Sequence, residues 1–450
     1  MNKKYTTLDE IVNNNVLTYS LYTVLERAIP YLMDGFKPVQ RFVMYEALNK
    51  ASKDFAKVAS IGSSVSDSGY KHGETAALDT TALISNTWNN NIPFLEGQGN
   101  FGSRVDRDAA EPRYIFCRVH ENFNNIYLDN DILPPHPDKT HLPPKYYLPI
   151  IPTVLLNGIS GTASGFATVI LPHDIKSVIQ SCIDVLDGKK DVTIPEVKFP
   201  EFVGDVIETE PNKFLMKGKY EWTGKYSLTI TEIPYMLDRM SYISKFLQPL
   251  KESKILNYEE MCSEGFEFTI RFSKNYLDEI KDKFNNEDFE EFISKLIGIN
   301  AILTQIIVLV DDGEILTREQ FNDASDVVKL FVPKRLSYYP IRIKNKQDVY
   351  TNETNVLRAK CNFIKLVRNE SIILKDRKKQ DIIDDINSYE ELKGYDKELL
   401  SMSIYSISDD EFEKLNSLLE SKMKELDYWN KADPKKEYKK DLKNLLKIYS

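Results

Sequence analysis

Seven prolines within a short central stretch limit what this chain can fold into more than any other feature of its sequence. They lie at residues 132–152, a stretch that includes the pairs Pro134-Pro135 and Pro143-Pro144. Each proline fixes its own φ angle and lacks the N–H that a helix interior or a central strand needs. We therefore expect an irregular connector here, with a domain on each side of it. A second change of pattern near residue 324 gives three predicted domains, residues 1–150, 151–323 and 324–450.

The composition is that of a soluble globular protein, because 42% of the residues are hydrophobic and 28% are charged. The 450 residues are enough for two to four domains. A net charge of −9 argues weakly against nonspecific nucleic-acid binding. Residues 27–125, however, carry 11 basic and 11 acidic side chains, so this segment has none of the acidic excess. DNA is therefore a permitted partner for this segment.

The spacing of the cysteines and the lack of a long apolar run are typical of a cytoplasmic protein. The four cysteines are far apart in the sequence and form neither a disulfide framework nor a zinc ribbon. We also find no apolar run that predicts a signal peptide or a membrane span.

Hydrophobic spacing predicts short helices and strands in the first two domains. Helices are expected at residues 39–48, 75–88 and 175–186, and a further one opening with a capping box at residues 7–10. Strands are expected at residues 226–230 and 266–272. A hairpin is expected from two strands, at residues 306–310 and 314–316, joined through Asp311-Asp312-Gly313.

Long polar helices are expected in the last domain. One apolar stripe covers residues 356–373, and a capping box at residues 408–411 opens another helix. Pro333 and Pro340 are expected to kink or break a helix in this region. Between the two helices lies a small apolar cluster made of Leu399, Leu400, Met402, Ile404 and Ile407. This cluster fits either internal packing or a dimer contact at the tip of an antiparallel helix pair.

The segment with the strongest chemical signal is residues 109–118 (AAEPRYIFCR), which contains Arg113 and Tyr114. A tyrosine after an arginine is usually a packing residue, so a chemical role for Tyr114 depends on the sequence blocks around it. They are RAIP at 27–30, DGFKPVQR at 34–41, YKHGET at 70–75 and LEGQGNFGS at 95–103. The last contains a G-x-G-x-x-G match, but no convincing strand precedes it and no helix start follows it. We reject a dinucleotide site and expect these glycines to let the loop turn sharply near Tyr114.

In this order the blocks resemble the cleavage subunit of type II DNA topoisomerases, the family that includes the cleavage chains of gyrase and topoisomerase IV. Three further blocks follow in the family's order, YLPIIP at 147–152, LNG at 156–158 and TEIPY at 231–235. The resemblance covers about residues 18–426, and the short separate chain is most similar to the medium subunit of tailed-phage enzymes.

The resemblance implies an α+β multidomain fold. Residues 1–150 would form an N-terminal helix and a winged-helix DNA-cleavage domain, and residues 151–323 a mixed α/β tower domain. Residues 324–450 would form a long antiparallel coiled coil that ends in a C-terminal dimer gate.

The resemblance also implies the active site. Tyr114 would attack a DNA phosphate, and a phenol needs nearby cations or a base to become a nucleophile. Arg113 and Arg27 would stabilise the charge on the phosphate oxygens, and His72 would contact the scissile phosphate or assist proton transfer. The residues expected to bind DNA are Lys37, Arg41, Lys71, Thr75, Arg104 and Thr162.

Thr162 departs from the family pattern. The family has an isoleucine at this position that wedges between DNA base pairs. Threonine keeps the branch at Cβ but adds a hydroxyl that costs more to bury, so weaker bending, or a contribution from Ile159, is expected.

No ATP-binding loop and no carboxylate set for a metal ion is found in the sequence, and Asp311-Asp312-Gly313 is better explained as a turn. The resemblance implies that a larger partner chain supplies the ATPase and a Toprim domain with Mg²⁺, and that the present chain forms a homodimer through its C-terminal gate. The enzyme would relax or decatenate DNA, in the host cytoplasm if the chain is phage-encoded. The alternative is a DNA-binding architectural or regulatory protein that does not cleave.

Overall fold

The computed structural model describes residues 11–403 and 408–449, and these form two compact units. The first contains residues up to Arg335 together with those from Asp441 onward, and the second spans Leu336–Lys440. The predicted boundary near residue 150 falls inside the first unit and stays a prediction. The expected capping box at residues 7–10 lies outside the described residues.

The first unit opens with a helical stretch in which the α-helix α1 is flanked by two π-helical turns. The turns cover Ile11–Val16 and Val24–Ala28, and α1 covers Leu17–Thr23. Residues just after this stretch join a strand far along the chain. Tyr31 forms a parallel bridge with Val310, and the amide of Leu32 donates to the carbonyl of Val310 at 2.8 Å.

A small helical domain with a three-stranded sheet follows. Its elements in order are α2 (Pro38–Lys50), β1 (Ala56–Lys57), α3 (Val58–Ser64), α4 (Glu74–Ser85), β2 (Leu95–Gln98) and β3 (Phe116–Val119). The antiparallel sheet has the order β1-β3-β2, which with this succession of helices is the connectivity of a winged helix. The helix predicted at residues 39–48 is confirmed, and it begins where Pro38 suits a first turn. The helix predicted at 75–88 ends earlier, at Ser85.

The proline-rich stretch contains no helix or strand between α5 (Glu121–Ile126) and the 3₁₀ turn Thr153–Leu155, as predicted. It leads to a two-stranded hairpin of β4 (Ile159–Ala163) and β5 (Phe166–Ile170). Helix α6 (Ile175–Asp187) follows, confirming the helix predicted at 175–186.

Two antiparallel sheets follow in the first unit. Their strands are β6 (Asp205–Glu210), β7 (Lys213–Lys217), β8 (Lys219–Gly224), β9 (Ser227–Glu232), β10 (Leu256–Glu260), β11 (Phe268–Phe272) and β12 (Asn300–Thr304). One sheet has the order β10-β11-β9-β8 and the other β12-β7-β6. Strands β9 and β11 confirm the strands predicted at 226–230 and 266–272, and alternating buried residues such as Leu228 and Ile270 place one face in a core.

Helices cover and follow these sheets. They are α7 (Arg239–Tyr242), a π-helical turn (Ile243–Leu247), α8 (Gln248–Glu252), α9 (Lys274–Lys283) and α10 (Asn286–Leu296). The predicted hairpin forms from β13 (Leu309–Asp311) and β14 (Glu314–Leu316). Its two loop residues, Asp312 and Gly313, both have positive φ, which the turn of a tight hairpin requires. Lys145 and Lys334 bind Asp312, so this acidic pair is a structural turn.

The predicted helix break lies between the two prolines. Helix α11 (Ala324–Leu336), preceded by a 3₁₀ turn (Arg318–Gln320), contains Pro333 and continues for three residues beyond it. The next helix, α12 (Tyr339–Arg368), has Pro340 in its first turn.

The second unit is built on an antiparallel helix pair. Its other helices are α13 (Lys379–Ser388), α14 (Asp396–Leu400) and α15 (Asp409–Asn430), and α16 (Pro434–Ile448) closes the chain. Helices α12 and α15 are antiparallel, because Glu353 binds Lys422 at 2.7 Å and Arg368 binds Asp409 at 2.9 Å. Helix α15 starts as predicted, but the side chain of Ser408 makes no capping hydrogen bond.

The apolar cluster predicted near the tip of the pair forms a core inside this unit. Leu399 is buried there with Phe363 and Ile386, and Leu400 and Met402 are half-buried against it. Ile404 and Ile407 lie outside the described residues. Ile373 falls beyond the end of α12 and is exposed, so the predicted stripe ends sooner than expected. Among the described residues, no helix is long and apolar enough to cross a lipid bilayer.

Candidate active site

Tyr114 lies on the loop between β2 and β3, which we call the wing loop (residues 99–115). The loop is closed by hydrogen bonds near its start. The indole N–H of Trp88 donates to the carbonyl of Phe101 at 3.0 Å, and the amide of Ala110 donates to the carbonyl of Asn100 at 3.0 Å. These contacts fix the shape of the loop on the N-terminal side of Arg113 and Tyr114.

Two glycines make this shape possible, as the sequence predicted. Gly99 and Gly102 have φ angles of 118° and 78°, a region that favours glycine. A Cβ at Gly99 would approach the side chain of Ile115 to 2.8 Å. Because Ile115 follows Tyr114 directly, the glycine turn packs against the base of the segment that carries the phenol.

Arg104 anchors the wing loop from inside. Its guanidinium is buried, pairs with Glu232 at 3.0 Å and lies 4.7 Å from the ring centre of Tyr235. The predicted contact of Arg104 with DNA does not fit this position, since the group faces the interior and the carboxylate already neutralises it. The structure gives Arg104 a structural role.

Arg107 forms a second anchor that sequence reasoning missed. It donates to the carbonyl of Tyr235 and lies over the ring of Trp88. The hydroxyl of Tyr235 donates in turn to the carbonyl of Trp88 at 2.8 Å. The block TEIPY at residues 231–235 is therefore the wall against which the wing loop is fixed.

The outer end of the wing loop is pinned to the start of α3. The carbonyls of Pro112 and Ile115 accept hydrogen bonds from the amides of Ala59 and Val58, at 3.1 and 3.0 Å. The amide of Tyr114 donates to the carbonyl of Glu111 at 2.9 Å. The backbone on both sides of Tyr114 is thus held, although its side chain is not.

The phenol of Tyr114 faces solvent beside a cation. Its side chain is 68% exposed, which is unusual for a tyrosine in a structured loop. The guanidinium carbon of Arg113 lies 5.2 Å from the centre of its ring. Among the described residues, the one ion pair of Arg113 is long and exposed, with Glu111 at 3.9 Å, so its guanidinium can turn toward an anion.

A second group forms around the β4–β5 hairpin. Arg27, Lys37 and Thr162 line one open cavity there. The ammonium of Lys37 donates to the carbonyl of Ser160 at 2.6 Å, and burial lowers its pKa. A Cβ at Gly161 would collide with the carbonyl of Ala28, so glycine permits the close approach of the hairpin to the N-terminal helical stretch.

Thr162 lies on the exposed face of β4, next to the turn at Ser164 and Gly165. Ile159 pairs with Ile170 at the other end of the hairpin and is half-buried. Thr162, at the family's wedge position, is thus nearer the turn of the hairpin than Ile159 is.

His72 lies on a loop between α3 and α4, close to aromatic residues. Its Nε2 is 3.1 Å from the hydroxyl of Tyr22, and its ring centre is 5.2 Å from that of Tyr70. Burial and the charge of Arg27 both lower the pKa of His72. Lys71 next to it binds Asp138 at 3.1 Å, and Thr75 is exposed in the first turn of α4.

Arg41 is buried, contrary to what a direct DNA contact requires. It makes two hydrogen bonds to the carboxylate of Asp34, at 2.7 and 3.0 Å, and stacks over Tyr31. Both partners have at most 4% exposed side chains. A paired guanidinium in this position holds α2 to the preceding turn, so the structure assigns Arg41 to the scaffold.

Six of the predicted site residues thus form two groups. Arg113 and Tyr114 make one, and Arg27, Lys37, Thr162 and His72 lie in or next to the other. Within the described residues, no recorded contact joins the two groups. The same part of the chain contains no set of three His, Cys, Asp or Glu side chains arranged to hold a metal ion.

Comparison with known proteins identifies the family. The family model for the A-type subunit of DNA gyrase/topoisomerase IV matches residues 27–447. The chain belongs to this family. The match includes every predicted site residue, from Arg27 through Tyr114 to Thr162.

Individual relatives in the topoisomerase group support this membership. The chain is 42% identical to the DNA topoisomerase medium subunit of Enterobacteria phage T4, over 97% of this chain and 98% of that protein. It is 29% identical to DNA topoisomerase 2 of Plasmodium falciparum, over 86% of this chain but only 28% of that protein. The chain therefore spans nearly the whole phage protein and under a third of the longer relative.

A solved structure has the same fold. The crystal structure of the Plasmodium falciparum topoisomerase II DNA-binding, cleavage and re-ligation domain aligns with a TM-score of 0.87 and 26% identity. The alignment covers 98% of this chain and 64% of that one.

Proposed function

We propose that this chain is the breakage–reunion subunit of a type II DNA topoisomerase, with the phenolic oxygen of Tyr114 as its nucleophile. Its family makes it a topoisomerase chain, and this favours cleavage over the architectural alternative. The observation that carries the assignment is the exposed phenol beside Arg113, on a loop whose backbone is fixed on both sides.

In the proposed reaction the Tyr114 oxygen attacks a backbone phosphorus. A tyrosine–phosphate bond forms as the phenol loses its proton, the bond from phosphorus to one deoxyribose oxygen breaks, and that oxygen takes up a proton, so the step is balanced. One ester replaces another, so the reverse attack by the sugar hydroxyl reseals the strand without ATP at that step. Arg113 stabilises the negative charge that spreads over the phosphate oxygens, as a guanidinium fork does well.

The group around the hairpin is proposed to bind the same duplex. Arg27 and Lys37 line one cavity and present cations to the DNA backbone, and phosphate contacts of this kind fix position without reading sequence. His72, Lys71 and Thr75 extend this surface along the loop and the first turn of α4.

Thr162 is proposed as the side chain that enters the DNA next to a base step. Its exposed position near the hairpin tip supports this role, and a threonine wedge is smaller than an isoleucine and retains a hydroxyl. We expect a shallower bend than an isoleucine would give.

Mg²⁺ and ATP are proposed to reside on a partner chain with Toprim and ATPase domains. The described residues offer no metal-binding set, so no step is assigned to Mg²⁺ on this chain. A homodimer contact through the second unit is proposed as well. It is supported by α15, which has no buried residue and exposes Leu418 and Met423.

The test is covalent trapping. The chain is mixed with its partner subunit, Mg²⁺ and duplex DNA, and the reaction is denatured rapidly. Wild-type protein is expected to become linked to DNA ends, and Tyr114→Phe is expected to give no adduct, because the attacking oxygen is gone. Tyr19→Phe, which changes another exposed tyrosine, is the matched control and is expected to cleave normally.

The attachment point gives a second readout. Trypsin releases residues 114–118 as one peptide, because it cuts after Arg113 and Arg118. The nucleotide remnant is expected on this peptide by mass spectrometry. A remnant on any other peptide would show that Tyr114 is not the nucleophile.

A further inference from the structure

The hydroxyl of Tyr22 is within hydrogen-bond distance of His72, although 50 residues separate the two in sequence. The distance from the Tyr22 oxygen to Nε2 is 3.1 Å. The imidazole ring also lies close to two tyrosines, with centres 5.9 Å from Tyr22 and 5.2 Å from Tyr70. Among the described residues, no hydrogen bond is recorded for Nδ1.

This contact can set which nitrogen of the neutral ring carries the proton. If the hydroxyl donates to Nε2, the proton must be on Nδ1, which is then free to donate. If Nε2 donates to the hydroxyl instead, Nδ1 presents a lone pair. A lone pair repels a phosphate oxygen, whereas an N–H attracts it, so only the first arrangement suits a DNA-facing histidine.

We propose that Tyr22 is a positioning residue that donates its hydroxyl hydrogen to Nε2 of His72 and thereby keeps the imidazole proton on Nδ1, available to a backbone phosphate. Tyr22 acts through His72 and is not itself in the chemistry. The inference deepens the proposed function and rests on it for the identity of the phosphate.

The surroundings favour a neutral ring at rest. Arg27 acts on His72 from the helical stretch that carries Tyr22, and a nearby cation disfavours a second positive charge. Other ionisable groups line the adjoining cavity, namely Glu26, Arg41, Tyr70, Lys71, His136, Asp138 and His141. The Lys71 cation is neutralised by Asp138, and burial together with the charge of Arg27 lowers the pKa of His72. In a neutral ring the position of the single proton decides what the side chain can bind.

The tautomer is measured on the free full-length chain, so the test does not depend on DNA cleavage. The protein has five histidines, and labelled rings give a spectrum that is assigned by comparison with His72→Gln. Wild-type His72 is expected to show Nδ1–H, whereas free imidazole side chains in water prefer Nε2–H. Tyr22→Phe is expected to shift His72 toward Nε2–H and to raise its pKa, because the hydrogen bond to the neutral form is lost.

Tyr19→Phe is the matched control. Tyr19 lies in the same helix, is more exposed than Tyr22 and has its ring centre 6.5 Å from that of Tyr22, but within the part of the chain that the structure describes it makes no contact with His72. It is expected to leave the His72 signals unchanged. An Nε2–H tautomer in the wild type, or an unchanged His72 spectrum in Tyr22→Phe, would overturn the proposal.

A cleavage assay separates this inference from the proposed function. Tyr22→Phe is expected to slow cleavage at neutral pH by roughly three- to tenfold, the rate equivalent of one hydrogen bond. If the tautomer changes in Tyr22→Phe but His72→Gln cleaves as fast as wild type, the positioning role holds and the assignment of His72 to DNA binding fails.

Discussion

The two ends of the wing loop carry arginines in opposite surroundings. Arg104 at the inner end is buried against Glu232 and aromatic rings, whereas Arg113 at the outer end is 67% exposed. Nine positions apart, the same side chain serves as scaffold in one case and is proposed to stabilise charge on the phosphate in the other. The difference shows that a motif block contains both kinds of residue, and that burial and a fixed carboxylate distinguish them.

The largest effect is expected from Arg104→Ala. It leaves the Glu232 carboxylate buried and unpaired, which should lower the free energy of unfolding by about 3–5 kcal/mol. Urea titration measures this loss. The control is Arg118→Ala, whose pair with Glu96 is about 40% exposed and should cost less than about 1 kcal/mol. Similar losses in both variants would mean that burial does not distinguish the two ion pairs.

Arg113→Ala should slow DNA cleavage with little loss of stability, the converse of what is expected for Arg104→Ala. Loss of one fixed donor to the developing charge should slow DNA cleavage by roughly 10²–10³-fold, because the transition state loses more than the ground state. The unfolding free energy should change by no more than about 0.5 kcal/mol. Single-turnover trapping with the partner present measures the rate. Arg113→Lys keeps the charge without the fork and should fall in between. A destabilised but fully active Arg113→Ala protein would contradict the comparison.

Two histidines allow the same comparison between a buried and a more exposed side chain, with a smaller expected effect. His173 is buried after β5, and burial lowers its pKa to about 4, while its Nδ1–H donates to the carbonyl of Leu155 at 3.1 Å. The pKa of this histidine is near 6.5 in the unfolded chain. As the pH falls below that value, the unfolded chain binds a proton, whereas the folded chain does not bind it until about pH 4. Stability should therefore fall by up to about 3 kcal/mol as the pH drops through this window.

Urea titrations between pH 7 and pH 4 check this slope. His173→Asn keeps a donor for the Leu155 carbonyl and removes the titration, so its stability should depend less on pH than that of the wild type. His72→Gln, which alters a partly exposed ring, should keep most of the wild-type slope. An unchanged slope in His173→Asn would show that other groups cause the acid sensitivity.

Local elements could be predicted well because their causes are local. The helix at 175–186 follows from apolar spacing, and the turn at Asp312 and Gly313 follows from residues that tolerate positive φ. The order of the blocks also indicated the family. Where α12 ends was harder to predict, because the apolar stripe continues past Arg368 although the chain turns at Glu370, which has positive φ.

The roles of the buried arginines could not be predicted, because their partners are visible only in three dimensions. Glu232 is 128 residues from Arg104, and nothing in the sequence pairs them. Asp34 is only seven residues from Arg41, so a helix beginning at Pro38 offered a signal that could have been used. The contact between Tyr22 and His72 has no such signal.

The bridge between Tyr31 and Val310 has a consequence for biosynthesis. The segment that follows Arg27 is fixed by a strand that leaves the ribosome nearly 280 residues later. Contacts so distant in sequence are closed late in folding, because a long loop must be ordered first. A nascent chain that stops short of residue 310 therefore lacks the strand that fixes the segment after Arg27, a residue of the proposed DNA-binding surface, however completely its earlier helices have formed.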